Sequence, residues 1–365
     1  MHNSDHNAPQ ILSLFSGGLD GLLAARVLME QGLSVLCLHF HSPFFGKPEK
    51  VPHWEQVYGL KIRPVNISDA FTAMLAARPA HGFGSVINPC VDCKILMLSR
   101  AREILEETGA AAVATGEVLG QRPMSQRRDT LNIIRRETGL KGRLLRPLSA
   151  LRLDPTEVEL SGLVDRTRLL GIGGRGRKDQ LALAARFGIK EIPTPAGGCR
   201  LAEKENARSY LPVLLHTPAP TAADFELANA GRQLWRFAPA PLRLIIGRKQ
   251  ADNDLIQSLA GERDLIMKVA DHPGPLALAR YLGADWTEEA VEAAAACMAS
   301  YAPRAVAAAE EAGTVEVRVH PGNLDAPGRK IAVRPNRGSG FAERTWEEAE
   351  AHLREERRAR GVGGD

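Results

Sequence analysis

The chain has 365 residues, 47 Lys/Arg against 43 Asp/Glu, and 44% apolar residues. That length leaves room for two domains, and the composition is ordinary for a globular protein. A surplus of only +4 excludes a chain that seeks polyanions by bulk charge, and no run of about eighteen apolar residues suggests a membrane span. The polar start, Met1–Gln10, lacks the apolar core of a signal peptide, so the expected location is the cytoplasm, with no membrane contact. Five cysteines in a chain this long, in a reducing compartment, point to metal binding or thiol chemistry rather than a disulfide framework.

In chain order, Ile11–Phe15 reads as a buried strand that runs into Ser16-Gly17-Gly18-Leu19-Asp20. Leu19, Leu22, Leu23 and Val27 then recur at helical spacing, which predicts a helix over Leu19–Gln31. A strand, a Gly-rich turn and a helix make a pyrophosphate cradle. The glycines let the backbone approach a phosphate, and the helix N-terminus aims unpaired N–H groups at it. Ser16 can add a hydroxyl, and Asp20 can hold a magnesium ion that bridges phosphate oxygens. Taken alone, the glycine pair is also compatible with a plain tight turn. The loop lacks the longer Walker spacing and its lysine.

Ser34–Phe40, Lys61–Asn66 and Ala110–Thr115 read as further short strands, with helices near Ala70–Arg78 and Lys94–Glu107 between them. This alternation predicts an α/β fold, a doubly wound parallel sheet with ligands outside the carboxyl ends of its strands. Leu38 and His39 end the second strand, where an adenine could be met; His39 is equally readable as a satisfied core residue. From Gln121 to Arg152, nine Lys/Arg face only Asp129 and Glu137, a local excess that suits nucleic acid or a solvated helix face. A helical stretch is expected from Thr156 to Phe187, broken at Gly171–Lys178, where Arg175, Arg177 and Lys178 are candidate RNA-phosphate contacts. Tyr210–Pro220, punctuated by prolines, reads as a passage between domains.

Beyond Ala238 the pattern becomes α+β: strands at Leu242–Ile246, Leu265–Val269, Thr314–Val319 and Lys330–Arg334, and helices at Ala251–Ala260, Glu288–Ala299 and Pro303–Glu311. The tail Glu347–Gly361 is a charged helix fading into a Gly-rich end.

The cysteines form the second constellation. Cys90-Val91-Asp92-Cys93 stands just ahead of a helix, and Cys199 ends Pro195-Ala196-Gly197-Gly198-Cys199. A CxxC pair can chelate a metal or form a redox couple. Three converging thiolates suit a cluster with one open metal position, whereas structural zinc wants four ligands. Cys37, in an apolar strand, and Cys297, among alanines, read as core.

Ser16-Gly17-Gly18-Leu19-Asp20-Gly21 resembles the SGGxDS loop of the PP-loop ATP pyrophosphatases, with Gly21 in place of the final serine. Asn88-Pro89-Cys90-Val91-Asp92-Cys93 is similar to a segment of the 2-thiouridine enzymes. Ala114-Thr115-Gly116-Glu117-Val118-Leu119-Gly120-Gln121 and Pro195–Cys199 lean toward the 4-thiouridine synthases. The resemblance therefore implies a PP-loop tRNA thiouridine synthase of the adenine nucleotide alpha hydrolase-like fold over roughly residues 11–205. It implies ATP contacts at Ser16, Gly17, Gly18, Leu19, Asp20, Gly21, Leu38, His39, Gly116 and Gln121, with Mg2+ at Asp20. It also implies a [4Fe–4S] cluster on Cys90, Cys93 and Cys199, with Asp20, Cys93 and Cys199 as catalytic residues. The expected partners are tRNA, a sulfur donor (inorganic sulfide or a cysteine desulfurase) and, as an option, a second copy of the chain.

Only ten residues precede the first strand, so an N-terminal RNA-binding domain is not expected and the tRNA grip must come from elsewhere. Leu244–Asp254, with Gly247, Arg248 and Lys249, followed by His272-Pro273-Gly274, is similar to the RNA-binding domain of NFACT-type proteins. The expected organisation is a PP-loop domain over 1–205, a connecting segment over 206–237, a smaller α+β RNA-binding domain over 238–346 and a tail over 347–365. The expected reaction is replacement of a uridine oxygen by sulfur, most simply giving 4-thiouridine. Wobble-position 2-thiouridine formation, a PP-loop adenylating ligase and a non-catalytic RNA binder remain as alternatives.

Overall fold

The computed structural model describes residues 8–193 and 198–359, arranged as two compact units, 1–200 and 201–365. The first unit contains β1 (Ile11–Leu14), α1 (Leu19–Met29), β2 (Val35–His41), α2 (Val51–Tyr58), β3 (Lys61–Asn66), α3 (Ser68–Ala76), α4 (Cys90–Thr108), β4 (Ala112–Thr115), α5 (Arg128–Glu137), β5 (Leu144–Leu145), α6 (Glu157–Leu160) and α7 (Lys178–Arg186). Its five strands are all parallel, in the order β3-β2-β1-β4-β5. Every residue of β1 and β4 is buried, as strands covered on both faces require. The strand order reverses between β1 and β4, with Leu14 level with both Leu38 and Thr115. Such a switch point opens a crevice at the carboxyl edge of the sheet, and the loops after β1 and β4 flank it.

Two readings change here. The helix expected over Thr156–Phe187 is only the short α6 and the later α7, because Gly162 and Gly174 take left-handed φ values of 78° and 86° that a helix cannot continue through. Helix α4 begins at Cys90 rather than after Cys93, so both cysteines lie in its first turn.

The second unit contains α8 (Lys204–His216), α9 (Ala222–Ala228), β6 (Arg232–Arg236), β7 (Leu242–Ile246), α10 (Gln250–Leu259), β8 (Leu265–Val269), β9 (Ala277–Arg280), α11 (Glu288–Ala299), α12 (Pro303–Ala312), β10 (Val315–Pro321), β11 (Arg329–Val333), β12 (Ala342–Glu343) and α13 (Trp346–Ala359). The Pro-punctuated segment from Tyr210 is thus largely helix, with Pro212 inside α8. Seven strands form one antiparallel sheet, β11-β10-β8-β9-β7-β6-β12. One face packs Leu244, Met267, Val269, Val317 and Val319 against α11 and α12. The other packs Ile245, Ile266 and Leu278 against Leu227 of α9 and Ile256 of α10. Arg243 is wholly buried on that second face. Its Nη2 donates to the Gln233 side chain at 2.9 Å and to the Asp224 carbonyl at 3.0 Å. Burial pushes its guanidinium down to about 10, against the opposing pull of Asp224.

A candidate phosphate cradle and three thiols at the carboxyl edge of the parallel sheet

The Ser16–Asp20 loop is shaped from below. Gly17 has φ 84°, and a side chain there would meet the Trp54 ring at 2.6 Å. Trp54, from α2, packs edge-on against Phe15 and His39, with ring centroids 5.4 and 5.0 Å away. Nothing in the sequence marked Trp54 as part of the site. Gly18 caps α1 without a side-chain hydrogen bond, so the first-turn N–H groups stay available for an anion. Ser16 is exposed at the mouth of the loop.

His39 takes a different role from adenine contact. It has no exposed surface; Nδ1–H donates to the Phe15 carbonyl at 2.9 Å, and Nε2 accepts the Lys47 N–H at 2.9 Å. That pairing fixes the neutral tautomer, and burial holds its pKa below the usual imidazole value. His39 pins the cradle to the exit of β2. Leu38 is equally buried, and its carbonyl accepts the Phe15 N–H at 2.9 Å.

The loop after β4 closes onto this cradle. A side chain at Gly116 would stand 2.4 Å from the Asp20 carbonyl carbon and 2.5 Å from the Gly21 nitrogen, so only glycine allows the approach. Gln121 Nε2 then donates to Asp20 Oδ2 at 3.2 Å. Asp20 Oδ1 and Gln121 Oε1 are buried and without hydrogen-bond partners among the described residues. Buried acceptors left unpaired cost about 1–3 kcal/mol each, and a metal ion bridging to phosphate is the chemistry that would satisfy a carboxylate there. Next to Gly116, Glu117 is 1% exposed. Its Oε2 accepts from Arg146 Nε and Thr115 Oγ1, each at 3.0 Å. Burial raises its pKa, but Arg146 and Lys94 outweigh that, and the carboxylate is held below its ordinary value. Leu119 pairs with Gly173, and the Gly174 N–H donates to the Leu119 carbonyl at 2.8 Å. Arg175, Arg177 and Lys178 therefore follow directly from a strand-like contact with the Gly116–Gln121 loop.

The thiols converge from two segments. Cys90 and Cys93 are i,i+3 neighbours on the first turn of α4 and share a face. Asn88 Nδ2 donates to Cys90 Sγ at 3.1 Å, while Asn88 Oδ1 accepts the Val86 N–H at 3.3 Å. Between the cysteines, Asp92 accepts from the Ala80 N–H at 3.0 Å and the His81 N–H at 3.1 Å. Its contact with His81 Nδ1 at 3.2 Å, and that of His81 Nε2 with Glu137 at 3.4 Å, tie the helix start to two other elements. Cys199 reaches the group because the neighbouring Arg200 N–H donates to the Phe44 carbonyl, just beyond β2, at 2.9 Å.

Burial, followed by the charges of Cys199, Cys90 and Asp92, raises the Cys93 thiol well above its ordinary value, while Lys94 pulls it down. Cys93 is thus within electrostatic reach of both Cys90 and Cys199. Lys94 also acts on Glu117, which links the thiol corner to the Gly116–Gln121 loop. As donors, three thiols suit iron. Their spacing is not that of a single-ion site: among the described residues, no group of three or more His, Cys, Asp or Glu is gathered tightly enough to hold one metal ion. Pro195–Gly197 of the expected motif lies outside the described residues. Cys37 and Cys297 are buried in the two cores.

In the second unit, Arg248 and Lys249 follow β7. The Arg248 N–H and Nε lie 3.0 and 3.4 Å from Asp252 Oδ2. A side chain at Gly247 would stand 2.0 Å from Asn253 Oδ1, which accepts the Leu276 N–H at 3.2 Å. No helix among the described residues is long and apolar enough to cross a membrane.

Residues 7–157 match the family described as Thiamine biosynthesis protein (ThiI), and residues 231–337 match the NFACT protein RNA binding domain. A probable tRNA sulfurtransferase of Thermococcus kodakarensis is 28% identical over 41% of this chain and 39% of its own length. Another, from Methanothermobacter thermautotrophicus, is 29% identical over 60% of this chain and 49% of its own. The chain thus spans about half or less of these relatives. A solved predicted subunit of tRNA methyltransferase from Methanocaldococcus jannaschii overlays 37% of this chain and 66% of its own at 12% identity, with a TM-score of only 0.28. One chain here carries a segment similar to ThiI followed by a segment similar to the NFACT RNA-binding domain.

Proposed function

We propose that the protein is an ATP-dependent tRNA sulfurtransferase that replaces a uridine carbonyl oxygen, at ring position 4, with sulfur. The observation that carries this reading is the shared edge: the Gly116–Gln121 loop closes onto the cradle, Cys90 and Cys93 open α4, Cys93 lies within electrostatic reach of Cys199, and Lys94 acts on both Cys93 and Glu117.

ATP sits with its phosphates over Ser16, Gly17, Gly18 and the N-terminus of α1, within reach of Leu19, Gly21, Gly116 and Gln121. Asp20 would hold a magnesium ion there, which when bound would supply charge for the departing pyrophosphate. The uridine oxygen attacks the α-phosphorus, the α–β anhydride bond breaks, and pyrophosphate leaves. A sulfur nucleophile then adds to the ring carbon, and AMP departs with the original oxygen. The buried Glu117–Arg146 pair keeps the nucleotide loop rigid through both steps. Cys90, Cys93 and Cys199 would hold a [4Fe–4S] cluster, which supplies an open iron for sulfide when bound. Without a cluster, a cysteine desulfurase would hand a sulfane sulfur to Cys199 as a persulfide, whose outer sulfur would add to the ring carbon. Cys93 would then attack the Cys199 sulfur and release the outer sulfur to the base, and an external dithiol would reduce the Cys93–Cys199 disulfide that remains. Arg175, Arg177 and Lys178 on one unit, and Arg248 and Lys249 on the other, contact tRNA phosphates. Sulfide would serve the cluster route, and a cysteine desulfurase, which delivers sulfane sulfur, would serve the persulfide route.

The test is anaerobic incubation of protein, tRNA, ATP and sulfide, followed by nucleoside mass spectrometry. 4-Thiouridine with stoichiometric AMP and pyrophosphate is expected. 2-Thiouridine would move the reaction to the wobble position, and ATP–pyrophosphate exchange without any thionucleoside would make the protein an adenylating ligase. Iron near four per chain, lost on changing any one of Cys90, Cys93 or Cys199 to Ala, is the expected signature of the cluster. Full activity in iron-free protein given a cysteine desulfurase, cysteine and a dithiol in place of sulfide, with a Cys199 persulfide detected, would assign the thiol route.

A further inference from the structure

In the second unit the register of three neighbouring strands sets like charges side by side. Arg318 of β10 stands opposite Lys268 of β8 on one side and opposite Lys330 of β11 on the other. Their neighbours Met267, Val269, Val317, Val319 and Val333 all turn into the core under α11 and α12. By the two-residue alternation of a strand, Lys268, Arg318 and Lys330 project together from the opposite face. Towards β9 and β7 that face is covered, through Ile266, Leu278 and Ile245, by α9 and α10. At the row itself it is open: Arg318 and Lys330 are exposed and Lys268 is partly so.

Like charges directly opposite on adjacent strands destabilise a sheet. With strands about 4.8 Å apart, the three cations fall within about 10 Å of one another. Only Lys330 has an ion-pair partner among the described residues, Glu316 at 2.5 Å; Lys268 and Arg318 have none. Folding alone gives no reason for this row. An external polyanion does.

We propose that the open face of β8, β10 and β11 is a docking surface for the phosphate backbone of structured RNA, gripped by Lys268, Arg318 and Lys330. This deepens the tRNA reading above and rests on it. The exposed side chains that these strands present there are Lys268, Glu316, Arg318, Lys330 and Ala332, with His320 buried beside them. None gives a base an accessible ring to stack on, so the surface grips phosphate without reading sequence and favours helical over unstructured RNA. His320 is 6% exposed, and its Nδ1 is held by the Ala326 carbonyl at 2.9 Å.

The full chain is titrated with a tRNA transcript, a short RNA duplex and oligo-uridine over a range of salt. Arg318→Gln and the triple change with Lys268→Gln and Lys330→Gln are compared with Arg304→Gln, an exposed cation on α12. Each substitution in the row is expected to weaken tRNA and duplex binding several-fold and to flatten the log Kd against log salt slope by about 0.9. Melting temperature should hold or rise, because the change relieves repulsion; a structural role would lower it. Unchanged binding and slope in the triple variant, or equal losses in Arg304→Gln, would overturn the proposal while leaving tRNA thiolation intact. Polyglutamate competing as well as duplex RNA would reassign the face to an acidic protein partner. No tRNA binding by the unaltered chain would remove the tRNA reading itself, and the docking surface with it.

Discussion

The two sheets of this protein arrange their polar chemistry in opposite ways. In the parallel sheet, functional groups gather at one edge, on loops leaving β1, β2 and β4, and lock onto each other through contacts as close as Gly116 against Asp20. In the antiparallel sheet, charge lies across the faces: Arg243, Arg280, Asp224 and Asp264 in a buried network, and Lys268, Arg318 and Lys330 in an open row. Bond-making needs groups converging on a few atoms, which strand ends and helix N-termini provide. Gripping a polyanion needs only many cations at moderate spacing, which a face provides. Single substitutions at the edge should therefore act steeply, and those on the face gradually.

The steepest break is expected at Asp20. Asp20→Ala removes the carboxylate assigned to magnesium and leaves Gln121 Nε2 without its acceptor. ATP–pyrophosphate exchange should fall by about 100-fold or more, with tRNA affinity unchanged. Near-normal exchange would detach the cradle from catalysis. Gly116→Ala should come close behind, because the added carbon meets backbone rather than a mobile side chain. Overpacking of this kind costs about 1–3 kcal/mol and often more against backbone. A lowered melting temperature together with lost exchange is the expected pair of readings.

The thiols act on sulfur transfer alone, with ATP–pyrophosphate exchange kept, and their effect sorts the five cysteines. Cys37→Ala should leave thiolation and colour unchanged, since burial pushes that thiol up to about 12 and leaves it an inert core group. Cys90→Ala should abolish both. An iodoacetamide map of iron-free native protein near neutral pH should leave Cys37 unlabelled. Labelling there would mean that β2 opens.

How much of this was legible in the sequence follows the same division. The cradle was, because strand, Gly-Gly turn and helix are consecutive and each residue's role is local. The convergence of Cys90, Cys93 and Cys199 came from a resemblance; no spacing rule brings residue 199 to residue 93. Trp54 under Gly17, Asp92 holding residues 80 and 81, and the Lys94 link to Glu117 depend on the packing of separate elements, which periodicity cannot encode. His39 was readable two ways, and burial decided for the pin. In the second unit, β6 and β9 carry arginines at their ends and were missed, while Pro212, Pro218 and Pro220 hid the helix that runs to His216. Arg280 is drawn inward because Asp224 and Asp264 meet it from distant segments.

A milder probe of the edge is pH. His39 is neutral in the fold, and burial lowers its pKa from the usual 6.5. A base whose folded pKa is depressed binds protons more readily unfolded, so its contribution to stability is present above about 6.5 and is lost as pH falls through the folded-state value. Stability should therefore decline on acidification below that point, with ATP affinity declining alongside because Phe15 and Lys47 lose their tie. His39→Gln should lower stability at neutral pH yet flatten the acid slope. An unaltered slope would place the titrating group elsewhere, His41 being the nearest alternative.

The smallest effect is expected at Gly21, where the PP-loop pattern has serine. The position has no left-handed φ, so Gly21→Ser brings no backbone strain. The added carbon would stand 3.1 Å from the Leu14 carbonyl oxygen and 3.4 Å from a Phe15 ring carbon, a squeeze of a few tenths of an ångström. That costs about 1 kcal/mol, at the lower end of overpacking penalties. In return the first turn of α1 gains a hydroxyl beside the N–H groups that meet phosphate. The expected outcome is a slightly lower melting temperature with an equal or smaller KM for ATP, and exchange kept. If Gly21→Ser instead matched Gly116→Ala in its loss of exchange, the first turn of α1 would be closed to a ligand and the steep edge would begin one residue later than the cradle requires.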